Sequence, residues 1–139
     1  MGGGSADLPP DELPPDQVVW RRVAPRHFPR SLAETRPQSA AFQDSSVDGS
    51  MSVVLARSGR DPTEVLLGYD GYGLVALAIS ELSELKQQVI CDPVPEEPDH
   101  ALVVGKKTKG TRRQMSTLCR WVIRPPGVIG GEPPGPVAP

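Results

Sequence analysis

Prolines set the outer limits of what this chain can fold into. Of the 17 in 139 residues, seven precede Gln38 and six follow Arg124. Proline lacks a backbone donor and fixes φ, so regular structure has to be built mainly between these two groups. The first 16 residues carry Asp7, Asp11, Glu12 and Asp16, no base and little apolar content, and residues 127–139 are dominated by Pro and Gly. Both are expected to be disordered tails, because neither can bury enough apolar surface to offset the entropy of ordering. A single small domain is expected over residues 17–126, large enough for one modest core.

Within that domain, hydrophobic periodicity gives the elements in order. VVWRRV (Val18 to Val23) alternates as a strand with Val18 and Trp20 on one face and Arg21 on the other. Pro25 and Pro29 keep the next segment extended or turning, and Phe42 is the expected core anchor of an otherwise polar loop. Asp48 and Gly49 signal a turn before a strand at Met51 to Ala56. Asp61, Pro62 and Glu64 have the spacing of a helix start, with Val65, Leu66 and Leu67 expected to bury it and Gly68 to end it. YGLVALAIS is an unbroken apolar run, the mark of a strand covered on both faces. Ser80 is placed to cap a short helical turn with Leu82 and Leu85 inward, and Gln88 to Cys91 reads as another strand. A proline-stiffened acidic loop, DPVPEEPDH, leads to the strand Ala101 to Val104, which Gly105 stops.

The last element is expected to be an amphipathic helix over 111–123. Thr111 and Gln114 have capping-box spacing, and Met115, Leu118, Cys119 and Val122 fall on one stripe. Pro125 and Pro126 end it. The order implies an α+β fold: a mixed or mostly antiparallel sheet of about five strands, covered by this C-terminal helix.

The net charge of −2 conceals a strong asymmetry. From Asp44 to Asp99 there are 11 acids against three bases, a balance of −8, whereas His100 to Gly131 holds seven bases and no acid. The bases concentrate in the loop GKKTKGTR. Gly105 and Gly110 have the spacing of a phosphate-binding P-loop, but Thr111 and Arg112 stand where such a loop needs Lys followed by Ser or Thr. What survives is an anion- or partner-binding set, Lys106, Lys107, Lys109, Arg112 and Arg113, around a helix start that favours negative charge.

Other candidates are single residues. His100, flanked by Asp99, has the makings of a general base or a phosphate ligand. His27, between prolines and arginines, reads as a surface residue. Arg21 and Arg22 stand in a strand, where a charged side chain needs a partner or a ligand. Asp44, Ser45, Ser46 and Asp48 offer carboxylates and hydroxyls that are also ordinary turn chemistry. Cys91 and Cys119 read as free thiols; no Cys/His cluster marks a metal site, and no Ser-centred elbow marks a hydrolase. No apolar run approaches a membrane span and no N-terminal segment has secretory character, so the expected location is cytoplasmic.

The spaced pattern of WRRV, SAAF, SMSVVLA, DHALVVGKKT and RWVIRPP, over about residues 17–126, resembles a group of small uncharacterised bacterial proteins. That resemblance implies a bacterial, compact domain and no particular activity. The order of elements is also similar to ADP-ribosyltransferase-like folds. There, the resemblance implies NAD held by Arg21 or Arg22 and by Ser45 or Ser46, although Glu96 and Glu97 precede the strand in which such a fold carries its catalytic Glu. The reading favoured by the residues is a non-enzymatic accessory or adaptor protein without cofactor. Its basic loop would engage an acidic partner, either a larger protein or complex or nucleic-acid phosphate. The alternative is a small nucleotide-acting enzyme with Arg21, Ser46 and His100 in one pocket.

Overall fold

A computed structural model describes residues 13–29, 35–45 and 49–124. It contains six strands: β1 (Val18–Val23), β2 (Met51–Leu55), β3 (Gly73–Ala78), β4 (Gln88–Cys91), β5 (His100–Val104) and β6 (Arg120–Ile123). Three helices accompany them, α1 (Pro62–Val65), α2 (Ile79–Glu84) and α3 (Lys109–Leu118), and a 3₁₀ turn spans Ser39–Phe42. All strands join one antiparallel sheet in the order β4-β5-β2-β1-β3-β6. The fold is therefore α+β, with one sheet more extensive than the periodicity implies.

The sheet has two unequally covered faces, because successive side chains of a strand point to opposite sides. Val19 and Val23 of β1 join Phe42, Met51, Val53, Leu77, Leu82, Val103, Met115 and Cys119 in the larger core. This is the face that carries α2, α3 and the 3₁₀ turn. Phe42, Met51 and Met115 are fully buried, each contributing roughly 1.5–3 kcal/mol by leaving water. On the opposite face Trp20, Val54, Val65, Leu74 and Ala76 form a second, smaller cluster. Among the described residues the helix that packs on this face is α1, four residues long.

β3 is buried from Gly73 to Leu77, as an unbroken apolar run requires. The start of α1 follows its sequence signature: the Asp61 carboxylate accepts from the Thr63 amide at 2.9 Å with Pro62 in the first turn. Of the three apolar residues expected inside, only Val65 is buried, and Leu67 is 77 % exposed. In α2 the N-cap is Ala78 rather than Ser80, and the Glu81 carboxylate accepts from the Ala78 amide at 2.8 Å.

The C-terminal helix is shorter than its hydrophobic stripe suggests. It starts one turn earlier, with the Thr108 hydroxyl accepting from the Thr111 amide at 3.1 Å, and stops at Leu118. Cys119 takes extended geometry, and Arg120–Ile123 pairs with β3 as the sixth strand. The sequence RWVI is rich in β-forming residues, and an open sheet edge offers it hydrogen bonds that a helix end does not. The N-terminal boundary also moves. Leu13 packs on the larger core and the Ser80 amide donates to the Pro15 carbonyl, so residues 13–16, expected in the tail, belong to the folded unit. The remainder of both expected tails lies outside the described residues.

Candidate functional site

The five bases of the predicted binding loop divide into two kinds. Lys107 is a strut. Its side chain is 2 % exposed and its ammonium has three partners: the Val103 carbonyl at 2.9 Å, the Gly105 carbonyl at 3.1 Å and the Asp44 carboxylate at 2.6 Å. An ammonium has three donors, so nothing is left for a ligand. Arg112 is half-buried and donates to the Lys107 carbonyl at 2.9 Å, which fixes the loop from the helix side. Gln87 fixes it from the other, its amide donating to the Lys106 carbonyl at 2.9 Å. Gly105 is required at this junction. Its φ is +150°, and a Cβ there would meet the Gln87 side chain and the Lys86 carbonyl at 2.8 Å.

Lys106, Lys109 and Arg113 are exposed and have no ion-pair partner among the described residues. Lys109 and Arg113 are one helical turn apart on α3 and line a groove of about 720 Å³ together with Ser116 and Thr117. The opposite wall is the segment Thr35 to Ala40, which brings in Arg36, a residue that periodicity does not single out. Three bonds hold that wall in place. Ser116 Oγ donates to the Pro37 carbonyl at 2.6 Å, Trp121 Nε1 donates to the Thr35 carbonyl at 2.7 Å, and Arg36 donates to the Cys119 carbonyl. No acid stands among the described lining residues, which make a strip of positive charge on a protein that is acidic overall.

The residues of the predicted enzyme pocket do not meet. Arg21 points to the α3 face of the sheet and His100 to the other, since His100 pairs with Val54 of the second cluster. Ser46 lies outside the described residues. Arg21 serves the fold. The β1–β2 ladder stops at Trp20 and Val54, and beyond it Arg21 satisfies the Ser52 carbonyl at 2.8 Å and the Ala41 carbonyl at 3.0 Å. Burial, reinforced by the charge of Arg22 and opposed by Asp44, pulls its guanidinium down to about 10. Ser45 is occupied in the backbone turn that closes onto Ser50 and Gly49.

His100 takes a different carboxylate from the neighbour in sequence. Its Nδ1 lies 3.0 Å from the Asp92 carbonyl and 3.1 Å from the Asp92 carboxylate, across the β4–β5 hairpin. Asp99 instead joins Arg57 and Arg60, and Arg60 also forks onto Glu97 at 2.6 and 2.8 Å. Those bonds hold the Glu97 carboxyl below its usual range. His100, Arg22, Ser52, Tyr69 and the Arg60–Glu97 pair line an open cleft of about 710 Å³ on the poorly covered face. His27 is pulled below its ordinary value by burial and by the charges of Arg26 and Arg21.

Both cysteines are free; burial raises the Cys119 thiol to about 11, and Cys91 is half-buried. Among the described residues no group of three or more His, Cys, Asp or Glu is arranged to hold a metal ion, and no helix is long and apolar enough to cross a membrane. A scan against protein-family models and searches of curated proteins and solved structures find no match.

Proposed function

We propose that this chain is a binding protein, an accessory or adaptor that takes an acidic segment of a partner protein into the groove between α3 and residues 35–40. The observation that carries this reading is three cations, Arg36, Lys109 and Arg113, on facing walls of one groove with no acid among its described lining residues. Such a surface is attractive over a Debye length and selects against basic partners. The groove runs along about eight residues of α3, roughly 12 Å, which suits an extended chain better than a folded surface. The protein's acidity disfavours polyanions at large, and so favours a protein segment over nucleic acid.

The test is affinity capture from a bacterial lysate with the wild-type chain and with Lys106→Glu, Lys109→Glu and Arg113→Glu combined. These three side chains are exposed, so the variant keeps its fold. A protein partner held by the wild type and released by the variant is the expected result. Equal retention by both would overturn the proposal. Recovery of nucleic acid, with affinity falling steeply in log salt, would reassign the groove to phosphate.

A further inference from the structure

The cleft on the opposite face is a second site, separate from the basic groove. It is lined by Glu64 and Val65 of α1, by strand residues and by the loop residues Val94, Glu96 and Glu97. Val65 of α1 packs on that face with Trp20, Val54, Leu74 and Ala76. One step further along the same strands the register changes their character. Trp20 pairs with Val54 and Val54 with His100; beyond the end of the β1–β2 ladder Arg22 and Ser52 are the next residues on that same face, with His100 on the diagonal from Ser52. Three adjacent strands thus present an arginine, a hydroxyl and an imidazole to one cavity.

These groups are positioned but not engaged. Arg22 Nε donates to the Val65 carbonyl at 2.7 Å and its guanidinium lies over the Tyr69 ring, 4.1 Å from the centroid. These two contacts anchor the guanidinium and leave Nη1 and Nη2 without a hydrogen-bond partner among the described residues. Asp92 holds His100 Nδ1, which in the neutral ring places the lone pair on Nε2, and Nε2 likewise has no partner there. The Ser52 hydroxyl and the exposed Glu96 carboxylate have none either. By contrast Arg60, in the same wall, is shared by three carboxylates, Glu97 at 2.6 Å, Asp99 at 2.7 Å and the lining residue Glu64 at 3.4 Å. Outside that Arg60 network the cavity retains the Arg22 fork, the Glu96 carboxylate, a hydroxyl donor and an imidazole acceptor. Leu67, 77 % exposed, adds an apolar surface at the rim.

From this set we infer that the cleft binds a small zwitterion of the amino-acid class with an apolar side chain. The ligand carboxylate is received by the Arg22 fork and the Ser52 hydroxyl, its ammonium by His100 Nε2 and Glu96, and its side chain by Leu67. Bidentate recognition of a carboxylate is what a guanidinium anchored by a ring contact and one Nε bond, with both Nη groups open, is suited to. A cavity of about 710 Å³ is ample for such a ligand.

The experiment is a titration of the full chain with L-leucine, followed by backbone amide NMR shifts, beside N-acetyl-L-leucine and L-leucinamide. Saturable shifts are expected around residues 22, 52, 69 and 96–100, with a dissociation constant on the order of 1 mM. Each capped derivative should bind at least about tenfold more weakly, because each deletes one of the two charges. Ser52→Ala and Glu96→Gln should reproduce those losses without disturbing the remaining spectrum, whereas the triple reversal on α3 should leave binding unchanged. No saturable shift up to about 50 mM, or equal binding of either capped derivative, would overturn the assignment. Shifts centred on α3 would do the same.

Discussion

Arg21 and Arg22 are neighbours in one strand, yet they belong to different halves of the molecule. Arg21 faces the thick layer of α3 and the 3₁₀ turn, where it closes two backbone carbonyls. Arg22 faces the thin side and keeps its outer donors free over Tyr69. The same contrast separates Lys107, which is enclosed by carbonyls and Asp44, from Lys109 two residues later. A charge beneath a thick layer must be satisfied internally, because water cannot reach it; a charge under thin cover can remain open to a ligand. In this protein the layer above a cation, more than its place in a basic run, decides its role.

The contrast breaks most readily through stability. Arg21→Met and Lys107→Met should each lower the unfolding free energy by about 3 kcal/mol in urea titrations, since each leaves buried acceptors unpaired. Arg22→Met should cost about 1 kcal/mol, the loss of one carbonyl bond and a cation–π contact. Equal losses for the two arginines would erase the distinction between faces. Next in size, Gly105→Ala should cost about 2 kcal/mol by the same assay, because the added Cβ collides with Gln87 and the Lys86 carbonyl at an unfavourable φ.

The smallest effect belongs to the thin face and depends on pH. Glu97 titrates below its usual range because of its bonds to Arg60, so its contribution is present above the unfolded value near 4.3 and is lost as the pH falls through the lower folded value. Glu97→Gln should therefore be less stable than the wild type by about 1 kcal/mol at neutral pH, with the difference shrinking as the pH falls below the ordinary glutamate range. A constant difference across that range would show that the pair acts through packing.

Local signals carried much of the fold. The apolar run of β3, the Asp61–Pro62 start of α1 and the Phe42 anchor are written in adjacent residues, and all three stand where the pattern puts them. The end of α3 is different, because Met115, Leu118, Cys119 and Val122 fit a helical stripe while the vacant edge of β3 captures residues 120–123. Helix periodicity cannot register a competing sheet edge. The sites follow the same division. The basic loop is visible as composition, but which lysine it buries depends on Asp44, 63 positions away. Arg36 joins the groove, and Asp92 joins His100, only through contacts between segments far apart or across a hairpin. The hairpin was the one available clue, since pairing Cys91 with Ala101 sets Asp92 opposite His100.

The three bonds that fasten residues 35–37 reach across 79, 83 and 86 positions of sequence, to Ser116, Cys119 and Trp121. During synthesis the Arg36 wall leaves the ribosome long before the helix and strand that hold it. Closing loops of that length is slow to reward a growing chain. The groove is therefore assembled only once the chain has been made through Trp121, well after the residues of its Arg36 wall exist.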